Sequence, residues 1–179
     1  MTFKQQVVLI TGGSSGIGLS TARLFAGEGA HVWLVARDRE RLEAALDQVR
    51  AASAEPEHVH GLAVADVSDP GQASAAVARI SEQAGVPDIV INSHGVTHPG
   101  YFQDLDLSIF REMMEINYFG ALHVIRAVVP AMMERQSGHI VNVASGAALV
   151  GSFGYAAYSA SKHALRGLSD VLRIELKPH

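Results

Sequence analysis

The chain has 179 residues, of which 48% are apolar, with a formal net charge of −4 and no cysteine. This length fits one domain with a sizeable core, so we expect a single domain over residues 1–179. The composition argues against disorder, and the small negative charge argues against a nucleic-acid partner. Without cysteine, disulfides, thiolate catalysis and cysteine-bound zinc are excluded.

The N-terminal apolar run is too short for a signal sequence or a membrane span, which needs about 20 residues. Charged residues interrupt the later apolar runs. We therefore predict a protein without an integral membrane segment, located in the cytoplasm.

Short apolar runs alternate with longer stretches of helical periodicity. In chain order we predict a strand at Val7–Thr11, a helix at about Gly16–Glu28, a strand at His31–Ala36 and a helix capped by Asp38. Next come a strand at His58–Asp66, a helix from the Asp69-Pro70 cap to Gly85, and a strand at Asp88–Ser93. A long helix at Ser108–Gln136, bent near Pro130, precedes a strand at His139–Ser145 and a last helix at Tyr155–Lys177.

This alternation of continuously apolar strands with helices predicts an α/β fold with a Rossmann-type, doubly wound parallel sheet in three α/β/α layers. Ligands of such sheets bind at the carboxyl ends of the strands, where the strand order reverses. The motifs described below lie at predicted strand ends or on the helix that faces them.

The segment TGGSSGIG (residues 11–18) joins the first predicted strand to the first helix. Gly12 permits a tight turn, Gly16 permits the backbone to approach a pyrophosphate, and Gly18 permits close packing of the helix. Free N–H groups at the helix N-terminus favour phosphate binding. An ordinary glycine-rich turn is the alternative, but the strand-then-helix context favours a nucleotide site.

In YSASK, Tyr158 and Lys162 are four positions apart, so on a helix their side chains lie on one face. Chance is the alternative explanation, because both residue types are common on helix surfaces. An ammonium beside a phenol favours the phenolate, which would make the phenol a reversible acid and base near neutral pH.

The spacing TGxxxGxG resembles that of the short-chain dehydrogenase/reductase family, and the resemblance extends over the whole chain. Further matching segments are Asp66-Val67, INSHG (Ile91–Gly95) where the family usually has NNAG, INYFG, VNVASG and YSASK. The resemblance implies a catalytic set of Asn117, Ser145, Tyr158 and Lys162. It also implies cofactor contacts from Gly12, Ser14, Ser15, Gly16, Ile17, Gly18, Arg37, Asp66, Val67, Asn92, Gly95, Tyr158 and Lys162.

By this resemblance the protein is an oxidoreductase that moves a hydride between a nicotinamide and a ketone or secondary alcohol. Tyr158 would exchange the proton, and Ser145 would orient and polarise the carbonyl. Lys162 would also bind the ribose hydroxyls, and Asn117 would hold a water that links Lys162 to solvent.

The residue after the second strand indicates which nicotinamide dinucleotide binds. An acidic residue there would bind the ribose 2′-hydroxyl of NAD, whereas an arginine suits the 2′-phosphate of NADP. Arg37 occupies this position, Ser14 would add a hydroxyl contact, and Arg39 is a weaker candidate. Asp38 is close enough to bind a ribose instead, but we interpret it as a helix cap. The sequence therefore favours NADP(H) over NAD(H).

The chain departs from the family pattern at His94, which replaces a small residue close to the expected cofactor. His98 follows four positions later, but the stretch lacks a convincing third ligand, so we predict no metal site. The chain also stops where the sixth strand of the family would begin, and we expect a longer natural protein. Leu165, Leu168, Leu172 and Ile174 would then have less sheet to pack against.

Longer segments, such as LVARDRERLEAA and YAAYSASKHALRGLSDVLRIELKP, resemble those of 3-ketodihydrosphingosine reductases. The substrate is therefore expected to be a ketone or alcohol, with a lipid-like, long-chain ketone as the first candidate. A general NADPH-dependent carbonyl reductase is the main alternative, and a dinucleotide-binding module without chemistry is another. The resemblance also implies a homodimer or homotetramer, paired through the long helix and the last helix.

Overall fold

A computed structural model describes residues 3–55 and 57–178. Within these ranges, five parallel strands form one sheet in the order β3–β2–β1–β4–β5. The strands are β1 (Val7–Thr11), β2 (His31–Ala36), β3 (Gly61–Val64), β4 (Ile89–Asn92) and β5 (His139–Asn142).

The helices are α1 (Gly16–Gly27), α2 (Arg39–Ala52), α3 (Pro70–Ala84), α4 (Leu107–Met114), α5 (Gly120–Glu134) and α6 (Ala156–Glu175). Two of the predicted helix caps are confirmed. The Asp38 carboxylate accepts a hydrogen bond from the Arg41 N–H, and the Asp69 carboxylate accepts one from the Gln72 N–H. Both acidic residues therefore satisfy N–H groups that have no partner within the helix.

The two faces of the sheet are covered by different helices because successive side chains of a strand point to opposite faces. Val8 and Ile10 of β1 pack with buried residues of α1 and α2. Val7 and Leu9 pack with buried residues of α3 and α5. These layers, with the parallel pairing, confirm the predicted α/β fold with a Rossmann-type sheet.

The strand order reverses at β1, which lies between β2 on one side and β4 on the other. Connections from β1 and β4 therefore leave towards opposite faces of the sheet. This leaves a crevice outside their carboxyl ends, where ligands of open α/β sheets bind.

The predicted long helix at Ser108–Gln136 is interrupted in the structure. A π-helical turn at Glu115–Phe119 joins α4 to α5, whereas Pro130 lies inside α5 and does not end it. Periodicity does not reveal a π turn, because it adds only one residue to a helix that otherwise continues.

The third strand is shorter than the predicted segment His58–Asp66. His60 directs its imidazole to the Val32 N–H of β2, and Asp66 accepts hydrogen bonds from Ser68 in a turn. At the start of β3 a side-chain bond thus takes the place of regular strand pairing, whereas just beyond its end the Ala65 N–H still donates to the Ala36 carbonyl at 3.0 Å.

The segment Leu107–Glu134 has 28 residues and is long and apolar enough to cross a membrane by length and composition alone. Buried helices of a protein core meet the same criterion. Here Val124 and Val128 pack in the core with the sheet, and Asn117 is fully buried. The absence of an integral membrane segment stays a prediction.

A groove of about 990 Å³ lies beside β5, between α5 and α6. In the described part of the chain, β5 pairs with β4 on one side and has no strand on the other. Leu165 is buried in the first half of α6, whereas Ile174 near its end is 75% exposed. The expectation of less sheet to pack against therefore agrees with Ile174 at the end of α6 and is wrong for Leu165.

Candidate active site

The glycine turn after β1 has a backbone conformation that favours glycine at Gly12 and Gly16. Gly12 has a φ of +65° and Gly16 a φ of +52°, both in the left-handed region that favours glycine. A Cβ on Gly18 would collide with the Gly12 carbonyl oxygen, so α1 begins in direct contact with the turn. A Cβ on Gly16 would meet no atom within 4 Å in the described part of the chain, which leaves this backbone open to a ligand.

The crevice beside this turn has a volume of about 430 Å³. Most of the predicted cofactor contacts line it: Gly12, Ser14, Ser15, Gly16, Ile17, Gly18, Arg37, Asp66, Val67 and Gly95. Asn92 is buried below the crevice, where its amide nitrogen donates to the Asn142 side chain at 2.9 Å and so links β4 to β5. Its position indicates support of the sheet rather than exposure to a ligand.

Tyr158 and Lys162 are brought together on α6. The Lys162 Nζ lies 5.9 Å from the centroid of the Tyr158 ring and donates to the Val143 carbonyl at 3.1 Å. Lys162 is only 4% exposed, and burial lowers the pKa of its ammonium. A Cβ on Gly95 would lie 3.3 Å from this Nζ, so the amine is next to the crevice wall.

Asn117 is fully buried in the π-helical turn, and its carboxamide makes hydrogen bonds to Val96 and Ser161. Its Oδ1 accepts from the Val96 N–H at 2.9 Å, and its Nδ2 donates to the Val96 carbonyl at 3.0 Å. The same Nδ2 donates to the Ser161 Oγ at 2.9 Å. Asn117 therefore joins the loop after β4 to α6, and its predicted water relay stays a prediction.

Ser145 lies three residues after the end of β5, at the carboxyl edge of the sheet. Its hydroxyl accepts a hydrogen bond from the Ala147 N–H at 3.1 Å and caps the 3-10 turn Gly146–Ala148. The hydroxyl proton is not used by this bond, so it can still be donated to a carbonyl oxygen.

Arg37 and Asp66 form an ion pair across the end of the crevice, with 3.6 Å between the Arg37 Nη1 and the Asp66 Oδ2. Partial burial opposes ionisation of Asp66, but two hydrogen bonds from Ser68 and the guanidinium of Arg37 outweigh it and lower the pKa of this carboxyl. Both residues were predicted as cofactor contacts, but their contact with each other was not predicted.

Several residues that support the site were not predicted from the sequence: Thr11, Val96, Ile116 and Ser161. They act through backbone groups or through hydroxyls that bond to His94 and Asn117. The buried Ser161 is the exception that a pattern could have found, because it lies within YSASK and faces Asn117.

From the sequence, His94 was expected close to the cofactor, and no metal site was predicted for His94 and His98. His94 uses both ring nitrogens in hydrogen bonds, and His98 is exposed. Among residues 3–55 and 57–178, no group of three or more metal-binding side chains occurs.

The crevice fits a dinucleotide on two observations. Ser15, the N-cap of α1, makes no side-chain bond to the helix, and no acidic residue occupies its first turn in the described chain. The N–H groups there can therefore bind a phosphate. The open side of Gly16 gives such a phosphate close access to the backbone.

The fold and this site define a dinucleotide-binding class of α/β protein. A family model described as short chain dehydrogenase matches residues 6–179. The chain belongs to this family, whose members bind nicotinamide dinucleotides.

Among individual proteins, the chain is 40% identical over 173 residues to a 3-ketodihydrosphingosine reductase of Bos taurus. It is 36% identical over 174 residues to a dehydrogenase/reductase SDR family member 7B of Mus musculus. These alignments cover 96% and 97% of this chain but 52% and 54% of the relatives. The chain thus spans about half the length of the curated relatives it matches.

Two solved structures are similar in both fold and sequence. An NAD+-bound xylitol dehydrogenase superimposes with a TM-score of 0.94 at 32% identity, covering 99% of this chain and 67% of that one. An actinorhodin polyketide ketoreductase with NADPH superimposes with a TM-score of 0.91 at 34% identity, covering 98% and 67%. Similar folds therefore bind either dinucleotide.

Proposed function

We propose that this protein is an NADP(H)-dependent oxidoreductase that interconverts a ketone and a secondary alcohol. The observation that carries the proposal is the pair formed by Tyr158 and the buried Lys162, whose Nζ lies next to Gly95 of the dinucleotide crevice. A nicotinamide dinucleotide, when bound, supplies or accepts the hydride. The side chains of this protein must then position the carbonyl and move one proton.

Each of four residues has a distinct proposed role in that proton transfer. Tyr158 donates its phenolic proton to the carbonyl oxygen, and the Lys162 ammonium stabilises the phenolate that is left. Ser145 donates a hydrogen bond to the same oxygen and orients it. Asn117 holds the loop after β4 against α6, which supports the proposed proton path from Lys162 to solvent.

NADP(H) is the proposed cofactor because Arg37 lies at the end of β2 with a largely exposed guanidinium. A planar, permanently charged fork binds a phosphate well. Asp38, which could otherwise bind a ribose hydroxyl, is engaged as the cap of α2. Ser14 lines the same crevice and would add a hydroxyl contact.

The proposed substrate is a long-chain ketone similar to 3-ketodihydrosphingosine. Relatives with that printed name support it, as does an exposed apolar surface on the segments that precede α4 and α6, the helix that carries Tyr158. The Gly100 N–H donates to the Gly154 carbonyl at 2.8 Å, and the rings of Tyr101 and Phe153 lie 5.6 Å apart. Tyr101 and Phe153 are 56% and 87% exposed, so an alkyl chain could pack on them. Reduction of other carbonyl compounds is the second candidate.

The proposal is tested by NADPH fluorescence titration together with ketone-dependent NADPH oxidation, using 3-ketodihydrosphingosine and shorter ketones. Tyr158→Phe removes the proton donor, so we expect turnover to fall by about 100-fold or more while NADPH still binds. Tyr155→Phe is the matched control, because Tyr155 is a neighbouring tyrosine with a serine, not a lysine, four positions later.

Turnover that is equally sensitive to both substitutions would contradict the assignment of Tyr158. NADPH binding without turnover of any ketone by the unaltered protein would favour a non-catalytic binding module. Homo-oligomer formation and a cytoplasmic location stay predictions.

A further inference from the structure

His94 lies in the first loop residues after β4, on the wall of the dinucleotide crevice. Its Nδ1 is 2.6 Å from the Thr11 hydroxyl at the end of β1, and its Nε2 is 3.1 Å from the Ile116 carbonyl. One imidazole thus spans from the sheet to the π-helical turn. We infer that His94 is a positioning residue that holds the turn carrying Asn117 against the end of β1.

The bonding partners define the tautomer of His94. A carbonyl oxygen only accepts, so Nε2 must carry the hydrogen that is donated to Ile116. Nδ1 is then the acceptor for the Thr11 hydroxyl. The other acceptors near that hydroxyl, the Ile91 carbonyl and the Asn92 Oδ1, are farther away at 3.5 and 3.4 Å. Both nitrogens of a neutral ring are therefore used.

Gly120, the first residue of α5, makes room for this ring. Its φ of −56° is ordinary for a helix, so its backbone conformation does not require glycine. A Cβ at this position, however, would lie 2.7 Å from the His94 Nε2 and 3.0 Å from the Val67 Cγ2. Glycine inside a helix is less favourable than alanine. Space for the imidazole is the physical reason that we assign to this glycine.

The bond from His94 reaches Ile116, which directly precedes Asn117. The Asn117 carboxamide is already held by Val96 and Ser161. His94 supplies the remaining tether, on the backbone of the turn itself. Movement of this turn would shift both Asn117 and the loop at Val96, which lines the crevice.

Burial and the charges around His94 favour the neutral form of its ring. Burial and then the nearby Lys162 ammonium lower its pKa to about 4, although the Ile116 hydrogen bond and the Asp66 carboxylate oppose this shift. A protonated ring would lose the Thr11 acceptor bond and would repel Lys162.

The pairing of His94 with Gly120 is tested by a double-mutant cycle on thermal stability. Gly120→Ala should lower the melting temperature when His94 is present, because the new methyl group displaces the ring. In the His94→Ala background the same change should lower it clearly less, because only the close approach to the Val67 Cγ2 remains and alanine favours the helix. Equal effects of Gly120→Ala in both backgrounds would overturn the inference.

A spectroscopic measurement tests the hydrogen bonds of His94 and does not depend on catalytic activity. In the ¹⁵N NMR spectrum, His94 should show the Nε2–H tautomer and should not titrate between about pH 5 and 8. Thr11→Val removes the hydroxyl that donates to Nδ1 and should shift that nitrogen alone. A ring that titrates near the ordinary histidine value, or that has the opposite tautomer, would overturn the inference.

The catalytic readout rests on the proposed function. His94→Ala should lower kcat by about ten-fold and change KM for the ketone by less than about two-fold, because a misplaced turn affects the reaction geometry. Unchanged kcat in an active enzyme would overturn the positioning role. If the unaltered protein turns over no ketone, the proposed function fails, and the stability cycle and the NMR spectrum still decide the role of His94.

Discussion

Arg37 is the residue on which the proposed cofactor preference depends. Its guanidinium lies at the crevice with a weak, solvent-screened contact to Asp66, so it is available to a 2′-phosphate. Removing a charge-assisted hydrogen bond costs about 1.5–3 kcal/mol. We therefore expect Arg37→Ala to raise the Kd for NADPH by about ten-fold or more and to leave the Kd for NADH nearly unchanged, as measured by fluorescence titration.

Arg39→Ala is the comparison for this experiment. Arg39 is two residues away and pairs with Glu43 on the surface of α2 at 3.6 Å, so its removal should affect neither Kd. An unaltered ratio of the two Kd values in Arg37→Ala would contradict the NADP assignment. A change of that ratio in Arg39→Ala would transfer the assignment to Arg39.

At the level of elements, two histidines, His31 and His60, join β2, the start of β3 and the end of α2 at one end of the sheet. The His60 Nδ1 accepts from the Val32 N–H at 3.2 Å, and its Nε2 lies 3.0 Å from the Ser53 hydroxyl. The His31 Nδ1 accepts from the Val59 N–H at 2.8 Å. A backbone N–H only donates, so both acceptor nitrogens must be unprotonated. This part of the fold therefore requires neutral imidazoles.

A fall in pH should lower the stability that the hydrogen bonds of His60 and His31 contribute. Burial, followed by the charges of His58, His31 and Arg50, lowers the pKa of His60 from 6.5 to about 4. The folded state then binds its proton less readily than the unfolded chain. The stability from His60 is present above pH 6.5 and is lost as the pH falls from 6.5 towards 4, by roughly 1–3 kcal/mol.

The measurement is the free energy of urea unfolding at several pH values between 7.5 and 5. His60→Asn keeps an acceptor near the Val32 N–H but does not titrate, so its stability should decline less with acid. The remaining decline is expected from the lowered pKa values of His31 and His94. Parallel curves for the two proteins would contradict the role of His60.

At the level of the whole molecule, Arg135 connects segments that are far apart in the chain. It follows α5, and its guanidinium donates to the carbonyls of Val86, Pro87 and Ser137 at 3.0, 2.7 and 2.7 Å. It also pairs at 3.2 Å with Asp88, whose other carboxylate oxygen accepts from the Val7 N–H. One side chain thus ties the end of α5 to the amino ends of β1, β4 and β5.

We expect Arg135→Ala to lower the free energy of unfolding by about 2–4 kcal/mol, because several half-buried acceptors lose their donor at once. Arg135→Lys should recover only part of this loss, since an ammonium lacks the planar fork. Arg79→Ala, an exposed change on α3, should stay within about 0.5 kcal/mol of the unaltered protein in the same urea titration. A similarly small effect of Arg135→Ala would show that the Arg135 contacts do not stabilise the fold.

The amino-acid sequence alone determined the features that rest on local interactions. Apolar runs indicated the strands, Asp38 and Asp69 marked two helix starts, and the glycine spacing indicated the turn after β1. The pairing of Tyr158 with Lys162 was also predicted, because the geometry of one helix turn brings them together.

Only the tertiary structure decided which distant groups meet. It contains the π-helical turn, which the sequence did not indicate. It also brings Arg37 into contact with Asp66 and places the His94 ring next to Gly120, so that residues of different elements meet. Periodicity and capping describe bonds within a few residues of each other, whereas these contacts depend on how the strands are ordered and how the helices pack on them. The roles of Tyr158 and Lys162 could therefore be proposed from spacing, but the position of Asn117 and its supports required the fold.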